Sequence, residues 1–542
     1  MSKAVYRLPN ITNEPVKTYA PGSPERKALK EKLAEVKKTV VDLPMIIGGK
    51  EVRTGKLMDI RPPHEHQHLL GHYHQGDATH LQMAIDAAMK AKPAWEKMNW
   101  ESRAAIFLKA AELIAGPYRQ EMNAVTMLGQ SKNAFQAEID CVCELADFFR
   151  YNVKNMYEIY HMQPNSSPGI WNRMVWRPLE GFIFALTPFN FTSIAGNLPG
   201  APVLMGNVCV WKPSKTAVYS AHLIMQILKE AGLPDGVINL VYCSGPAASD
   251  VLLGSKEFAG IHFTGSTGVF NSIWANIVKN IDKYRTYPRI VGETGGKDYI
   301  FAAPTAPAKQ VATAMVRGAF EYQGQKCSAA SRAYIPSNIW PDVKKYVLDD
   351  LAKIKVGVVE NFSNFVNAVI DEDSFNKLAK AIDDANASPD AEVIAGKYDK
   401  SKGYFIYPTV IVAKKPDYVT MREELFGPVL TVYIYEPDKM KETLDILDET
   451  STYALTGAIF SQDRAQIEWL TERLTHTAGN FYINDKPTGA VVDQQPFGGG
   501  RASGTNDKAG SVLNLLRWVS PQAIKETFVP ATDYMYPNFL ED

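Results

Sequence analysis

The chain has 542 residues, of which 46% are hydrophobic and 22% charged, a composition typical of a soluble protein with about two to four domains. Its formal net charge of −1 provides no overall field that would attract nucleic acid or anionic lipid. The five cysteines are few and odd in number, which favours free thiols in a reducing compartment over a disulfide framework.

The two features that would indicate export or membrane insertion are not found in the sequence. Residues 1–7 lack the apolar run of a signal peptide, and the acidic residues that follow argue against an organellar transit segment. The longest apolar stretch, residues 194–211, contains Pro199, Pro202 and two asparagines, which a clean membrane span would not. We therefore expect a cytoplasmic protein whose partners include neither membrane nor nucleic acid.

Two amphipathic helices are predicted in the N-terminal part. Ser23-Pro24-Glu25 is a helix-start signal, after which Leu29, Leu33 and Val36 recur at helical spacing. The same periodicity predicts a helix at about residues 102–116. Both helices are interpreted as structural.

From residue 181 onward, short apolar strands alternate with helices. Strands are predicted at residues 182–186, 207–211, 237–241 and 260–263, and a helix at about 217–231. This alternation indicates a parallel sheet covered on both faces, hence an α/β doubly wound domain. Ligands of such sheets bind beyond the carboxyl ends of the strands. The loops at that edge are residues 187–190, 212–214 and 264–268.

Cys327 is the candidate nucleophile, because a cation, Lys326, stands beside it in a glycine-bearing segment. A catalytic thiol needs nearby cations or oriented amides to lower its pKa, and Lys326 is expected to help. Glu293, in Gly292-Glu293-Thr294-Gly295-Gly296-Lys297, is a candidate base that activates water. The alternative is that Cys327 is an ordinary buried cysteine.

Six motifs in one order resemble the aldehyde dehydrogenase superfamily, and the separation of Glu293 from Cys327 is also that of the family. The motifs are residues 187–190, 211–214, 263–266, 293–296, the Cys327 loop and 424–428. No G-x-G-x-x-G or phosphate-loop motif is present, so a nucleotide would be held in another way.

The resemblance implies an α/β fold with a Rossmann-like doubly wound cofactor domain, a second α/β catalytic domain and a small β oligomerisation element. Residues 1–160, with an N-terminal helical extension, and 180–294 would form the NAD(P)-binding domain. Residues 295–484 would form the catalytic domain with Cys327. Residues 161–179 and 505–542 would form the oligomerisation hairpin and C-terminal segment of a homodimer or a dimer-based assembly.

The resemblance also implies a catalytic role for three residues. Cys327 would attack an aldehyde and pass through a thiohemiacetal to a thioester, which water activated by Glu293 would release as an acid. The side-chain amide of Asn190 and the backbone N–H of Cys327 would hold the oxyanion.

NAD is the cofactor that the resemblance implies. The expected cofactor-binding residues are Thr187, Pro188, Phe189, Lys212, Ser214, Lys215, Gly265, Ser266, Glu424 and Phe426. Gly265 and Ser266 would face the pyrophosphate from a helix start, where an anion is favoured. Many members carry an acidic residue where this chain has Lys215, so NADP could be tolerated beside NAD.

Within the superfamily, residues 320–328, 478–486 and 494–508 are most similar to the members that oxidise L-glutamate γ-semialdehyde, formed from 1-pyrroline-5-carboxylate, in proline breakdown. The substrate-binding residues that this implies are Ser328, Gly489 and Ala490 for the carboxylate, Glu144 for the ammonium and Phe497 for the aliphatic part.

Three other functions are weighed against this one. The chain could oxidise another carboxylate-bearing semialdehyde such as succinate semialdehyde, or it could be a catalytically retired structural member. A coenzyme A acylating enzyme is disfavoured because Glu293 is present. No metal is expected: six of the ten histidines lie between His64 and His80, but they are interpreted as an exposed polar strand.

Overall fold

The computed structural model describes residue 4 and residues 6–542. Residues 1–3 and 5, which belong to the stretch used above to predict a location and to the predicted N-terminal domain, lie outside the described residues.

Helices are distributed along most of the described chain. They are α1 Pro24–Lys38, α2 Ala78–Lys97, α3 Trp100–Ala115, α4 Arg119–Gln130, α5 Ala134–Ala137, α6 Glu144–His161, α7 Thr192–Leu204, α8 Val218–Ala231, α9 Gly245–Leu252, α10 Thr267–Lys279, α11 Ala308–Phe320, α12 Trp340–Leu351, α13 Glu372–Ala387, α14 Val419–Arg422, α15 Met440–Thr450, α16 Arg464–Arg473 and α17 Val512–Leu516. A π-helix, Glu138–Cys143, runs directly into α6.

The strands begin in the N-terminal part and end near the C-terminus. They are β1 Val41–Leu43, β2 Met45–Ile47, β3 Lys50–Val52, β4 Leu57–Ile60, β5 Gly71–His74, β6 Ile170–Pro178, β7 Phe182–Leu186, β8 Val208–Lys212, β9 Ile238–Leu240, β10 Phe258–Thr264, β11 Arg289–Glu293, β12 Asp298–Ala302, β13 Ala330–Pro336, β14 Ala391–Ala395, β15 Tyr398–Asp399, β16 Phe405–Ile406, β17 Thr409–Ala413, β18 Val429–Tyr435, β19 Tyr453–Ala454, β20 Thr456–Phe460, β21 Asn480–Ile483, β22 Gly500–Arg501 and β23 Val519–Thr527.

The first large sheet has the strand order β11-β10-β7-β8-β9-β2-β3. Strands β11 to β9 in that order run parallel, and β2 and β3 extend the sheet antiparallel. Val208, Cys209, Val210 and Trp211 of β8 are fully buried, and α2 and α7 pack against this strand. Strands buried on both faces read as continuous apolar runs, which is why the sequence predicted them and why the doubly wound α/β class is confirmed.

The second large sheet has the order β14-β17-β18-β13-β12-β20-β21 and is parallel except for β14. Its core is separate from that of the first sheet, and α11 packs on β13 and β18. Residues 294–297 connect β11 of the first sheet to β12 of the second. This short loop therefore places the end of β11 close to the start of β12.

Four smaller sheets are present among the described residues, two of which are the strand pairs β15–β16 and β19–β22. Strands β1, β5 and β4 form a three-stranded sheet, and β6 pairs antiparallel with β23 along nine residues, from Ile170↔Thr527 to Pro178↔Val519, in a two-stranded ribbon. The division into domains stays a prediction.

The predicted helices are present, and one prediction about the histidines is wrong. Helix α1 begins at Pro24, where the Ser23 hydroxyl accepts a hydrogen bond from the Arg26 N–H at 3.3 Å, and the other two predicted helices correspond to α3 and α8. His64 does not lie on an exposed strand: it lies in a turn, fully buried, with Nδ1 3.0 Å from Ser131 Oγ.

Among the described residues, no group of three or more His, Cys, Asp or Glu side chains is placed to hold a metal ion. No helix in the same part of the chain has the length and apolar character needed to cross a membrane.

Candidate active site

The loops that follow the parallel strands converge on one cavity of about 390 Å³. Residues 187–190 follow β7, Lys212 ends β8, Gly265 and Ser266 follow β10, and Glu293 ends β11. The cavity is lined by Leu186, Thr187, Pro188, Phe189, Asn190, Lys212, Ser214, Phe263, Thr264, Gly265, Ser266, Val269, Thr294, Gly295, Cys327, Lys377, Glu424 and Phe426. Carboxyl ends of parallel strands meet at one edge of a sheet, and the site lies at that edge, as predicted.

The start of the loop that follows β7 is held in place by a buried tryptophan of β8. The indole N–H of Trp211 donates to Thr187 Oγ1 at 3.0 Å. Lys212 reaches toward the Pro213 carbonyl, 3.4 Å from Nζ, and Ser214 Oγ lies 3.2 Å from Thr216 Oγ1. Lys215 is exposed, and the cavity lining does not include it.

A helix N-terminus faces the same cavity. Ser266 caps α10, since its hydroxyl accepts a hydrogen bond from Val269 N–H at 3.4 Å, and Gly265, Ser266 and Val269 all line the cavity. The free N–H groups and the dipole of a helix start favour an anion such as a phosphate.

Two aromatic rings and a carboxylate also line the cavity. The rings of Phe189 and Phe426 are perpendicular, with centres 5.8 Å apart. Phe426 has a left-handed backbone, φ 58°, a strained state that functional sites often retain. Glu424 Oε1 accepts a hydrogen bond from the Gly296 N–H at 2.8 Å. A Cβ on Gly295 would lie only 2.3 Å from Glu424 Oε2, so a larger residue there would displace the Glu424 carboxylate.

These features fit a dinucleotide. The helix start suits a pyrophosphate, the Phe189 and Phe426 rings offer an apolar wall, and the Glu424 carboxylate can accept hydrogen bonds from ribose hydroxyls.

A strained turn precedes the candidate nucleophile. Tyr322, Gln323 and Gly324 have left-handed backbones, with φ of 48°, 54° and 63°, and such residues persist only where the surroundings fix them. The Gln323 amide does so, because Nε2 donates to the carbonyls of Ser131 (2.9 Å) and Ala368 (2.8 Å).

Asn190 and the Cys327 loop lie together, as the sequence predicted. The buried Asn190 amide donates from Nδ2 to the carbonyl of Gln325 at 3.0 Å. The carbonyl of Cys327 in turn lies close to Gly296, where an added Cβ would approach it to 2.2 Å. The loop that carries Cys327 is therefore in contact with Asn190 on one side and with Gly296 on the other.

The expectation that Lys326 lowers the pKa of Cys327 is wrong. Burial raises the pKa of Cys327 well above its usual value, and the carboxylates of Asp298, Glu293 and Glu424 raise it further. The Lys326 ammonium instead lies 3.7 Å from Asp140 and 3.8 Å from Glu321. These carboxylates attract the Lys326 side chain, and sequence adjacency to the thiol does not decide where it lies.

Glu293 has the environment of a general base. Its Oε2 is shielded from solvent and has no hydrogen-bond partner. Burial raises the pKa of this carboxyl well above its usual value, while the Lys508 ammonium opposes the rise and Asp507 adds to it. Lys508 is fixed by the carbonyls of Gly479 (2.7 Å) and Gly498 (2.9 Å). A carboxylate that holds a proton readily is suited to taking one from water.

Part of the predicted substrate site is assembled. Ser328 Oγ lies 2.8 Å from Thr488 Oγ1, directly before Gly489, which has φ 97°, and Ala490. The Phe497 backbone pairs with Ala509.

Glu144, which is predicted to bind the substrate ammonium, is the first residue of α6. Its Oε2 accepts a hydrogen bond from Ser193 Oγ at 2.6 Å, and burial raises the pKa of Glu144 to about 8.

Lys377 and Lys508 are missed by the sequence argument. Lys377 lines the cavity and donates from Nζ to the Glu424 carbonyl at 2.9 Å. Lys377 belongs to no motif, so nothing in the sequence marks it. Lys508 lies within a segment that supported the resemblance, but its approach to Glu293 depends on the folded chain.

The comparisons with known proteins identify the family. The aldehyde dehydrogenase family model matches residues 51–522. The mitochondrial delta-1-pyrroline-5-carboxylate dehydrogenase of Dictyostelium discoideum is 51% identical over 538 residues, 98% of this chain and 96% of the relative. The human mitochondrial enzyme of that name is 47% identical over 528 residues, 97% and 94% of the two chains.

A solved structure agrees with these relatives. The delta-pyrroline-5-carboxylate dehydrogenase of Mycobacterium tuberculosis bound with NAD superposes with a TM-score of 0.96 at 49% identity, covering 100% of both chains. The chain belongs to the aldehyde dehydrogenase family, which confirms the resemblance drawn from its motifs.

The predicted cytoplasmic location is wrong in the light of these relatives. The Dictyostelium, mouse and human proteins are all named mitochondrial. The composition of a short N-terminal stretch was therefore not sufficient to establish a compartment.

Proposed function

We propose that the chain oxidises L-glutamate γ-semialdehyde, the open form of 1-pyrroline-5-carboxylate, to L-glutamate with NAD as cofactor in proline breakdown. The observation that carries the proposal is the near end-to-end identity, 47% to 51%, to dehydrogenases named for this substrate. Cys327 and Asn190 line one cavity, and the Glu293 carboxylate is close enough to raise the pKa of Cys327, which supports the proposal.

In the proposed reaction, the Cys327 thiol passes its proton to water, and its sulfur bonds to the aldehyde carbon while the electrons of the C=O π bond move to the oxygen. The Asn190 amide and the Cys327 backbone N–H stabilise the oxyanion that forms. NAD, when bound, supplies the acceptor for the hydride that leaves this carbon. Glu293 then takes a proton from water, the resulting hydroxide attacks the thioester carbonyl, and the Cys327 thiolate departs as the acid is released.

For the cofactor, we assign the adenosine ribose to Lys212 and Ser214 and the pyrophosphate to Gly265 and Ser266. Glu424 would bind the nicotinamide ribose. Thr187, Pro188, Phe189 and Phe426 would line the path between them.

Lys215 bears on the choice between NAD and NADP. Its exposed ammonium lies next to the strand end that carries Lys212 and would not repel a 2′-phosphate. We expect NAD to be preferred and NADP to be used at a lower kcat/KM. Steady-state assays with both cofactors check this, and an NADP rate indistinguishable from background would contradict it.

The substrate carboxylate is assigned to the Ser328 hydroxyl and the N–H groups of Gly489 and Ala490, since a left-handed glycine presents its backbone to an anion. Phe497 would contact the aliphatic part. The assignment of the substrate ammonium to Glu144 is tested by Glu144→Gln. That variant should lose kcat/KM with glutamate semialdehyde but keep it with succinate semialdehyde, which has no ammonium.

We also propose that residues 1–160 and 180–294 bind the cofactor, that residues 295–484 form the catalytic domain, and that two copies pair through the β6–β23 ribbon. Trp171 and Val175 are exposed on β6, and Phe528, Tyr534, Tyr536 and Phe539 are exposed beyond β23. Apolar side chains gathered in this way often mark a contact surface.

The deciding experiment follows NADH formation with 1-pyrroline-5-carboxylate and, in parallel, with succinate semialdehyde. Greater kcat/KM for the first supports the proposal, and greater kcat/KM for the second favours the alternative substrate class. No NADH from wild type with either aldehyde would indicate a retired enzyme. Cys327→Ser is the control and should reduce turnover to background.

A further inference from the structure

A buried lysine lies between the loop that carries Asn190 and the loop that carries Cys327. The Lys132 ammonium is 4.2 Å from the ring centre of Phe191 and 4.3 Å from that of Tyr322, and the side chain is fully buried. Phe191 directly follows Asn190, and Tyr322 begins the left-handed turn that leads to Cys327. One cation therefore contacts both loops.

The charge of Lys132 is compensated mainly by Asp140, and Glu144 is a second carboxylate that stabilises it. Asp140 Oδ2 accepts a hydrogen bond from Lys132 Nζ at 2.8 Å, and the same oxygen lies 3.7 Å from Lys326 Nζ. Burial lowers the pKa of Lys132, and the Asp140 carboxylate opposes that shift. A buried charge is costly unless it is paired, and a desolvated cation is attracted strongly to the faces of aromatic rings.

The elements that carry this pair are themselves unusual. Asp140 lies in the π-helix Glu138–Cys143, a form that occurs mostly as single turns and often at functional sites. Lys132 follows Ser131, which ends α4 in a left-handed conformation, φ 57°. Ser131 is anchored in turn, because its hydroxyl accepts a hydrogen bond from the Ala368 N–H at 3.1 Å. Ser131 is thus held from outside the two loops by Ala368, and its carbonyl also accepts a hydrogen bond from Gln323 of the loop that carries Cys327.

We propose that Lys132 is a positioning residue, whose ammonium, oriented by Asp140 and lying between the rings of Phe191 and Tyr322, sets the distance between the Asn190 amide and the Cys327 thiol. Lys132 does not line the cavity and would act through the two loops. The inference rests on the proposed function insofar as Asn190 and Cys327 act on the same carbonyl.

The first test is Lys132→Met, which keeps the length of the side chain and removes the charge, while Asp140 retains Lys326. Because misplacement of reacting groups by about 1 Å can cost about 100-fold, kcat is expected to fall about 10- to 100-fold. KM for NAD should stay near the wild-type value, since the cofactor residues are untouched. The amplitude of the first rapid phase of NADH formation gives the number of functional sites, so kcat is calculated per functional site.

Lys309→Met is the matched control. Lys309 also lies over a tyrosine, 5.2 Å from the Tyr346 ring centre, and is paired with Asp350 at 2.7 Å, but on the surface. Its kcat should equal that of wild type. If Lys132→Met loses thermal stability or functional sites while kcat per site is unchanged, the role of Lys132 is structural and the proposal is overturned.

Phe191→Leu provides a second variant that leaves the Lys132–Asp140 pair intact, so it remains informative should Lys132→Met not fold. Its kcat is expected to fall, and in the double variant with Lys132→Met the losses should be less than additive because the two residues act through one contact. An unchanged kcat in Phe191→Leu contradicts the proposal.

A readout that needs no turnover separates this inference from the proposed function. Alkylation of Cys327 by iodoacetamide, followed by mass spectrometry of its peptide, should be faster in Lys132→Met and Phe191→Leu than in wild type or Lys309→Met, because the loop is released. Equal rates overturn the positioning role even if neither aldehyde proves to be the substrate. Failure of wild type to form NADH, by contrast, refutes only the proposed function.

Discussion

Glu293 combines two opposing requirements at the scale of a single residue. Burial favours its protonated form, whereas a base must be ionised before it can accept a proton from water. Lys508 is the cation that opposes the burial effect. The position of this one ammonium therefore bears on how much carboxylate is available at neutral pH.

The rate of thioester hydrolysis should consequently rise with pH. The pKa of Glu293 is raised, so the carboxyl is protonated at low pH and becomes a base only as pH increases through that raised value. Glu293→Gln is expected to form one NADH per site in a rapid burst and then to turn over about 100- to 10,000-fold more slowly than wild type. Stopped-flow absorbance across a pH series measures both effects.

Glu392→Gln, which alters an exposed carboxylate, is the control and should keep wild-type kinetics. A Glu293→Gln variant that turns over at the wild-type rate would show that another group activates water.

Individual residues also show which features of the site can be predicted from the sequence and which cannot. Cys327, Glu293 and Asn190 could be found because their motifs occur in a fixed order along the chain. The position of the Lys326 side chain could not be predicted, because Asp140, which attracts it, comes from a distant part of the chain. The same holds for Lys377, whose approach to Glu424 depends on the packing of α13 beside the cavity.

At the scale of elements, the conformation of the loop between β11 and β12 requires that Gly296 has no side chain. A Cβ on Gly296 would lie 2.2 Å from the Cys327 carbonyl and 2.4 Å from Asp298 Oδ2. Gly296→Ala should therefore displace the nucleophile loop and destabilise the fold by about 1–3 kcal/mol, as overpacking typically does. Steady-state kinetics should show a lower kcat, and thermal unfolding a lower Tm.

Gly268→Ala is the matched control, because no atom lies within 4 Å of the added Cβ at this position in the first turn of α10. Alanine favours helix there, so Tm should be equal or higher. Equal activity in the two glycine variants would refute the steric argument.

Regular elements were predictable where their periodicity was strong, and irregular ones were not. The continuous apolar runs of β7 and β8 predict buried parallel strands, and Ser23-Pro24 predicts the start of α1. The π-helix Glu138–Cys143 has no such signal, because one additional residue in a turn barely changes the hydrophobic pattern. The burial of His64 was not predictable either, because its hydrogen-bond partner Ser131 comes from the end of another element.

The π-helix also anchors the N-terminal segment. Glu138 is fully buried and accepts hydrogen bonds from Arg119, from the Tyr19 hydroxyl at 2.7 Å and from the Lys17 N–H at 3.0 Å. Burial alone would raise the pKa of Glu138, but the hydrogen bonds and charge of Arg119 outweigh it and hold that pKa below its usual value.

Glu138→Gln leaves Arg119 without its buried partner and should destabilise the fold by about 3–5 kcal/mol. Because the folded-state pKa of Glu138 is lowered, the stability it contributes is present above its ordinary pKa and is lost as pH falls through the lowered value. The difference in Tm from wild type should be largest at neutral pH and shrink on acidification. Scanning fluorimetry over a pH series checks it.

The control for this variant is Glu112→Gln, which breaks the exposed ion pair with Arg150 and should change Tm very little. Limited proteolysis should cleave near Tyr19 sooner in Glu138→Gln than in wild type. The anchoring role is contradicted if both variants melt and cleave alike.

At the scale of the whole molecule, the site is shared between the two large sheets. Asn190 and Gly265 belong to loops of the first sheet, whereas Glu424 and Phe426 precede β18 of the second. The short connection through residues 294–297 places Glu293 and Cys327 at the junction. Neither sheet alone contains the complete set, which explains why no single motif in the sequence specifies the function.

The β6–β23 ribbon is a two-stranded sheet, and an isolated two-stranded ribbon is marginally stable in water. Trp171 and Val175 lie on one face of β6, because alternate residues of a strand share a face, and are 50% and 41% exposed. Replacing both with serine should shift the proposed dimer toward monomer, since the apolar contact area is lost. Sedimentation velocity over a concentration series measures the mass.

Leu57→Ser, which changes an exposed residue of the separate three-stranded sheet, is the control and should leave the mass unchanged. An unaltered mass in the ribbon variant would place the subunit contact elsewhere.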